Sequence, residues 1–420
     1  MEQSRPNNPL SFALRCTLFL IIVGGFSAAH AQTLTTLFAF DGTDGSEPFQ
    51  SNLLDIGGTL YGTTGAGGTF NAGTIFKLDS TGKETVIYNF TGGTDGNQPS
   101  SGLTLDSKGN VYGTTVYGGD SNCVLNGATP GCGVVYKLTS TGHFSVVYTF
   151  TGSTDGALPQ GVIVDSSGDL YGPAFYGGNL SCPLTGIGCG VIFKIDTTGK
   201  ETAVYTFQDG TDGGVPNGFI TMDNSGNIYG ATIYGGTLAD CSGAGCGVIF
   251  KVTLAGKESV LYSFTGGTDG GAPNGSLLMD RQANIYGTAY LGGDLQCTSI
   301  PNTAGCGVVF KISPSGHESV LHAFKGTDGA GPSWGLLDYQ GNGYGTTIYG
   351  GANGFGTLFE LTSKGKEIPL YSFTGGTDGA YPQSGLIVDK SGNMYSNTVF
   401  GGNLSCNSPK GCGTVFKLVP

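Results

Sequence analysis

The tripeptide T-D-G returns seven times along this 420-residue chain, with its aspartate at Asp44, Asp95, Asp155, Asp212, Asp269, Asp328 and Asp378. A proline follows each copy within a few residues, at Pro48, Pro99, Pro159, Pro216, Pro273, Pro332 and Pro382. A unit of roughly 50 to 60 residues cannot bury its own apolar face, so the copies must pack on one another in an array or a ring.

Four strand-like runs appear in each unit. In the second, GLTLD passes through SKG into NVYGTTVY, an Asx- and glycine-rich hairpin. A variable loop leads to GVVYKLT, then the turn STGH, then FSVVYTF. Both faces carry apolar side chains, with Val134, Tyr136 and Leu138 on one and Val135 on the other. Strands that are apolar on both faces belong to sheets covered on both sides. A small four-stranded sheet between two like itself is a propeller blade. The 79 glycines follow no G-X-Y period and are mixed with abundant β-branched and aromatic residues, which excludes collagen and disorder.

The ends indicate how the ring closes. TLTTLFAF, after residue 31, matches the fourth run of a unit, and the final GTVFKLVP matches the third. The last copy lacks the strand that the beginning of the chain has spare. Pairing the two closes a ring of seven blades and leaves no sheet edge open. The expected fold is an all-β, seven-bladed propeller over residues 32–420.

Residues 1–31 read as a separate segment. Arg5 and Arg15 precede an apolar run from Cys16 to about Ala28, and Ala29-His30-Ala31 is a small-x-small cleavage pattern. A signal peptide and export to the periplasm or the exterior are expected. No other segment is apolar over the ~20 residues that a membrane span needs. A monomer is expected.

The phrase LYGTT…GG…GTVFKL…G…VLYSF resembles the Gloeo/Verruco (GloVer) tandem repeat of exported bacterial proteins. The resemblance runs over essentially the whole chain after residue 31. It implies export and a repeat β fold. That family has no assigned function, so the resemblance transfers no catalytic or binding residue. Many of its members end in a sorting anchor, which FKLVP does not match.

Ten cysteines fall in the variable loops as Cys123/Cys132, Cys182/Cys189, Cys241/Cys246, Cys297/Cys306 and Cys406/Cys412. The first and sixth copies lack both cysteines and are the short ones. Local pairs in an exported chain read as disulfides, each stapling its own loop. Thiolate metal sites would need further ligands, and only His143, His317 and His322 follow residue 31.

The T-D-G loops and the cysteine loops share one face of a propeller. Besides the seven aspartates they carry Asp41, Glu47, Asp120, Asp209, Asp240 and Asp294, against Lys325 and Lys410. This face therefore holds most of the formal charge of −12. Nucleic acid is excluded as a partner, since phosphate contacts need a basic stripe. A field of this sign draws cations or cationic partners. One carboxylate per loop falls short of a hard-cation site, so the aspartates read as turn residues and no cofactor is expected, Ca²⁺ being the one candidate ion. A second ring on the same face is aromatic: Tyr117, Tyr176, Tyr234, Tyr349 and Phe400 precede a G-G pair, and the sixth copy adds the single tryptophan, Trp334. Aromatic faces beside acids suit a carbohydrate, and packing between blades is the competing role.

Signs of catalysis are thin. His143 and His317 occupy hairpin positions held elsewhere by lysine, and His322 replaces the tyrosine of a fourth strand, which sets all three apart from the acidic face. GPSWG at 331–335 fits G-x-S-x-G but lacks the strand-to-helix elbow. The expected function is a secreted binding module for a carbohydrate or a cationic surface. The alternatives are a polysaccharide lyase or hydrolase that uses carboxylates of the acidic face, and a structural surface protein.

Overall fold

A computed structural model describes residues 32–419 apart from 51, 100, 126–129, 183–184, 239–240 and 302. The expected signal peptide and Asp240 lie outside the described residues.

Seven antiparallel sheets follow one another along the chain, the first six each built from four consecutive runs. Blade 1 holds Leu54–Ile56, Thr59–Thr64, Thr74–Leu78 and Glu84–Asn89, from innermost to outermost. In blades 2 and 3 the innermost strand is broken in two. In blades 4 to 6 it is long and continuous, as in Gly214–Met222, Gly271–Met279 and Ala330–Tyr339. The outermost strand of blade 7 comes from the other end of the chain. Thr33–Ala39 pairs antiparallel with Thr414–Val419, setting Leu34 opposite Leu418. The architecture is the seven-bladed propeller expected from the repeats. Among the described residues no helix is long and apolar enough to cross a membrane.

One aromatic contact recurs at all seven junctions. The residue after each outermost strand is a fully buried phenylalanine, from Phe40 to Phe373. It meets the third-strand aromatic of the next blade edge to face, with ring centroids 5.0–5.3 Å apart, as in Phe40–Phe76, Phe150–Phe193 and Phe324–Phe359. Each pair adds about 0.5–1.5 kcal/mol beyond the area it buries. This packing explains why the third strands are apolar on both faces.

A backbone latch repeats with it. The residue before each loop proline donates its N–H to a carbonyl of the preceding blade: Glu47 to Cys412, Leu158 to Cys132, Val215 to Cys189, Ala272 to Cys246 and Gly331 to Cys306. In the two junctions that follow cysteine-free loops, Gln98 uses Ala72 and Tyr381 uses Phe355. The acceptor is thus the second cysteine of each staple. The five expected disulfides are present, each within its own loop. Each staple therefore fixes the carbonyl on which the next blade is hung.

Candidate functional site

The T-D-G aspartates bind backwards, to the strand they follow, where sequence reading expects turns of their own. Asp95 accepts the backbone N–H of Thr91 at 2.8 Å and the hydroxyl of Tyr88 at 3.0 Å. The same triplet is formed by Asp155 with Thr151 and Tyr148, Asp212 with Gln208 and Tyr205, Asp269 with Thr265 and Tyr262, and Asp378 with Thr374 and Tyr371. Each tyrosine belongs to an outermost strand, so these carboxylates are held toward the rim. Two depart from the triplet: Asp328 faces His322, and Asp44 has no such partner, because Phe38 stands at the tyrosine position and offers no hydroxyl. The Oδ1 of Asp44 takes the N–H of Asp41, and burial, with the charge of Asp41 adding to it, pushes this carboxyl up to about 6.

A second carboxylate approaches each of five junctions. Glu84, Glu201, Glu258, Glu318 and Glu367 open the outermost strands of their blades, and each has a buried Oε1 with no hydrogen-bond partner. Burial first, then the charge of the neighbouring T-D-G aspartate, pushes the first four up to about 7. At the other two junctions the position is apolar, with Leu34 in blade 7 and Phe144 in blade 2. Phe144 stacks on Tyr88 with centroids 3.8 Å apart. The sequence carried a signal for the five, since all follow a hairpin lysine or histidine, as in Lys83-Glu84 and His317-Glu318.

His322 corrects the sequence reading. Near the end of the strand Glu318–Ala323, its ring turns into the loop that folds back over it. Its Nε2 lies 3.0 Å from Oδ2 of Asp328, so this histidine is part of the acidic loop system.

The aromatic ring gathers at the centre. Tyr117, Tyr176 and Tyr234, from blades 2, 3 and 4, lie close enough that burial and then the other two hydroxyls raise the Tyr176 phenol above its usual range. Tyr349 meets Tyr381 edge to face at 5.5 Å, and Tyr381 meets Phe400 at 6.1 Å. Trp334 is 4% exposed within the innermost strand of blade 6, so it offers no open surface on this face. GPSWG lies in that strand as well, whereas sequence reading places it in a loop. Below the ring the axis is filled. A Cβ on Gly102 of blade 2 or Gly161 of blade 3 would stand 2.9 or 2.6 Å from the ring of Phe219 in blade 4. Residues of non-adjacent blades can meet only at the axis, and glycine at these two positions makes room for the phenyl ring. Among the described residues the only buried charged side chain is Asp155.

A cleft of about 300 Å³ opens beside this centre, between blades 7, 1 and 2, and is lined by Glu47, Phe49, Gln98, Gln383 and Phe400 among others. Glu47 and Gln98 sit before the loop prolines with φ of 53° and 58°. That left-handed backbone is costly ahead of proline, and the latch holds it there. Asn407 donates to Oε1 of Glu47 at 3.4 Å. Sequence reading counted Glu47 only as one acid of this face and missed Gln98. Their signal was divergence, since the position before the proline reads Glu47, Gln98, Leu158, Val215, Ala272, Gly331 and Tyr381 while the loop around it repeats. A further cleft of about 310 Å³ lies on the hairpin face between blades 5 and 6, lined by Leu278, Tyr286, Lys311, Asp338 and Asn342 among others.

The family model of the Gloeobacter/Verrucomicrobia repeat matches residues 24–125, 123–301 and 297–420. The chain belongs to the Gloeobacter/Verrucomicrobia repeat family. No curated protein sequence matches this member. Among solved structures, the extracellular domain of a one-component system from Bacteroides thetaiotaomicron aligns with 92% of this Gloeobacter/Verrucomicrobia repeat chain and 41% of its own, at 13% identity and a TM-score of 0.53. A gluconolactonase from Xanthomonas campestris aligns with 77% of this chain and 87% of its own, at 12% identity and a TM-score of 0.42. A luciferin-regenerating enzyme aligns with 93% and 95%, at 12% identity and a TM-score of 0.43. At such identities the likeness concerns the fold of the repeat alone.

Proposed function

We propose that this protein is a binding module that takes a neutral carbohydrate at the centre of its loop face. The observation that carries this reading is the cleft between blades 7, 1 and 2. It combines aromatic side chains (Phe49, Phe400) with amides and a carboxylate (Gln98, Gln383, Glu47) that can hydrogen-bond hydroxyl groups. The competing cationic partner is supported less. Six of the seven T-D-G carboxylates are already engaged by a side chain of the preceding strand and by a backbone N–H at the rim.

A second reading, a polysaccharide lyase or hydrolase, draws on Glu47. It is a carboxylate in the cleft with no counterpart at the six equivalent positions. Two-carboxylate hydrolysis would need a second acid across the cleft, and the residues lining it include none.

A glycan array with the purified chain, followed by titration calorimetry of any hit, tests the proposal. The Gln98→Ala and Phe400→Ala variants should weaken binding about tenfold or more. Hits that bind both variants as tightly as the parent would rule the cleft out. Release of reducing ends that Glu47→Gln abolishes would replace the binding reading with the enzyme.

A further inference from the structure

The rim of the propeller repeats one side-chain arrangement, and a single junction departs from it in a chemically directed way. Between blades 5 and 6 the tyrosine of the repeat is His322, the T-D-G aspartate is Asp328, and the carboxylate opening the next outermost strand is Glu367. One ligand atom of each lies within 4.8 Å of the other two. His322 Nε2 is 3.0 Å from Asp328 Oδ2, whose other oxygen accepts the N–H of Lys325. Glu367 Oε1 is buried against this pair and has no hydrogen-bond partner. The two side chains of the pair are 18% and 19% exposed, which leaves a path from solvent.

We propose that His322, Asp328 and Glu367 bind a divalent transition-metal ion of the zinc class, clamping blade 5 to blade 6. One imidazole nitrogen and two carboxylate oxygens suit such an ion and leave a position for water. Calcium is disfavoured, because it takes six to eight oxygens and no nitrogen. At Zn–ligand distances of ~2.0–2.2 Å the donors would sit roughly 3.3 Å apart, so the pocket closes by small side-chain rotations. Glu367 gains in the ion the partner it lacks. The other junctions lack the nitrogen, with Tyr88, Tyr148, Tyr205, Tyr262 and Tyr371 at five and Phe38 at one. The site was hidden in the sequence because its ligands lie in three different segments, none with metal-motif spacing.

The repeat supplies its own control. His322→Tyr installs the residue that five junctions carry beside the same aspartate, so it should fold. The full chain, freed of metal by chelator and dialysis, is titrated with ZnCl₂ by calorimetry and with CoCl₂ by visible absorption. One ion per chain is expected, with the Kd raised about 100-fold or more by His322→Tyr and by Glu367→Gln. Cobalt should give a low-symmetry d–d band that both variants lose. Equal zinc uptake by parent and His322→Tyr, or no uptake by the parent, overturns the proposal. Calcium bound as tightly as zinc would overturn the assignment to a transition ion.

Discussion

Tyr205 donates its hydroxyl to Oδ2 of Asp212 at 2.9 Å, and the same oxygen accepts the N–H of Gln208. One carboxylate thus ties the outermost strand of blade 3 to the loop that carries the chain into blade 4. The contact explains why aspartate and tyrosine recur seven residues apart at five junctions.

Replacing Tyr205 by phenylalanine isolates that bond. Phe38 already occupies the equivalent position, so the ring should fit without rearrangement. The variant should lose about 1–2 kcal/mol, below the full range for a hydrogen bond to a charged acceptor because the site is partly exposed. Urea unfolding measures the change. An unaltered midpoint would show that the hydroxyl adds nothing to the packing of its ring.

The half-buried glutamates make stability depend on pH. Glu201, Glu258 and Glu318 titrate near 7 in the folded chain because burial, and then a nearby aspartate, disfavours their charge, against an ordinary value of 4.5. The folded state therefore binds more protons than the unfolded state between about 4.5 and 7, and stability falls as pH rises through that window. Below about pH 4 the opposite loss begins, since hydrogen bonds and turns hold Asp196, Asp223 and Asp280 under their usual range. Urea midpoints should be higher at pH 5 than at pH 8. The triple variant Glu201→Gln, Glu258→Gln, Glu318→Gln should flatten the difference. An equally steep profile in that variant would place the titrating groups elsewhere.

Each staple should matter locally. Removing Cys182 and Cys189 together frees a small loop and the carbonyl that receives the N–H of Val215, at a cost of about 2–3 kcal/mol. The protein should still fold, as blades 1 and 6 pack with Ala72 and Phe355 at the equivalent position. Unfolding of the double serine variant in denaturant gives the number. Peptide mapping without reduction should recover five bonds, all within single loops.

Deleting residues 33–40 tests the joint between the chain ends. It would bare the edge of Thr414–Val419 and remove Phe40, whose ring stands 5.1 Å from Phe76. An uncovered strand of this kind templates association. The shortened chain should aggregate or lose its cooperative transition in calorimetry. A sharp, unshifted transition would mean that the seventh blade stands without its outermost strand.

The ring was legible in the residues because repetition reports on neighbours. A strand such as Val134–Leu138, apolar on both faces, states that a sheet lies on either side of it. Seven spaced copies with a spare fourth strand at Thr33–Ala39 then leave one way to cover every edge. The staples were legible as well, since Cys182 and Cys189 come and go with the loop they close. These are local facts, set by side-chain type and spacing. Which side chains meet was decided only in three dimensions. Asp328 lies six residues from His322 but 39 from Glu367, and the packing of blade 6 against blade 5 brings the three together. Gln98 and Phe400 line one cleft across blades 7, 1 and 2, a meeting of side chains that the repeat spacing does not record. Phe219 fills the axis because glycine stands opposite it in blades 2 and 3. Periodicity fixes the blade, whereas contact between blades depends on the twist and closure of the whole ring.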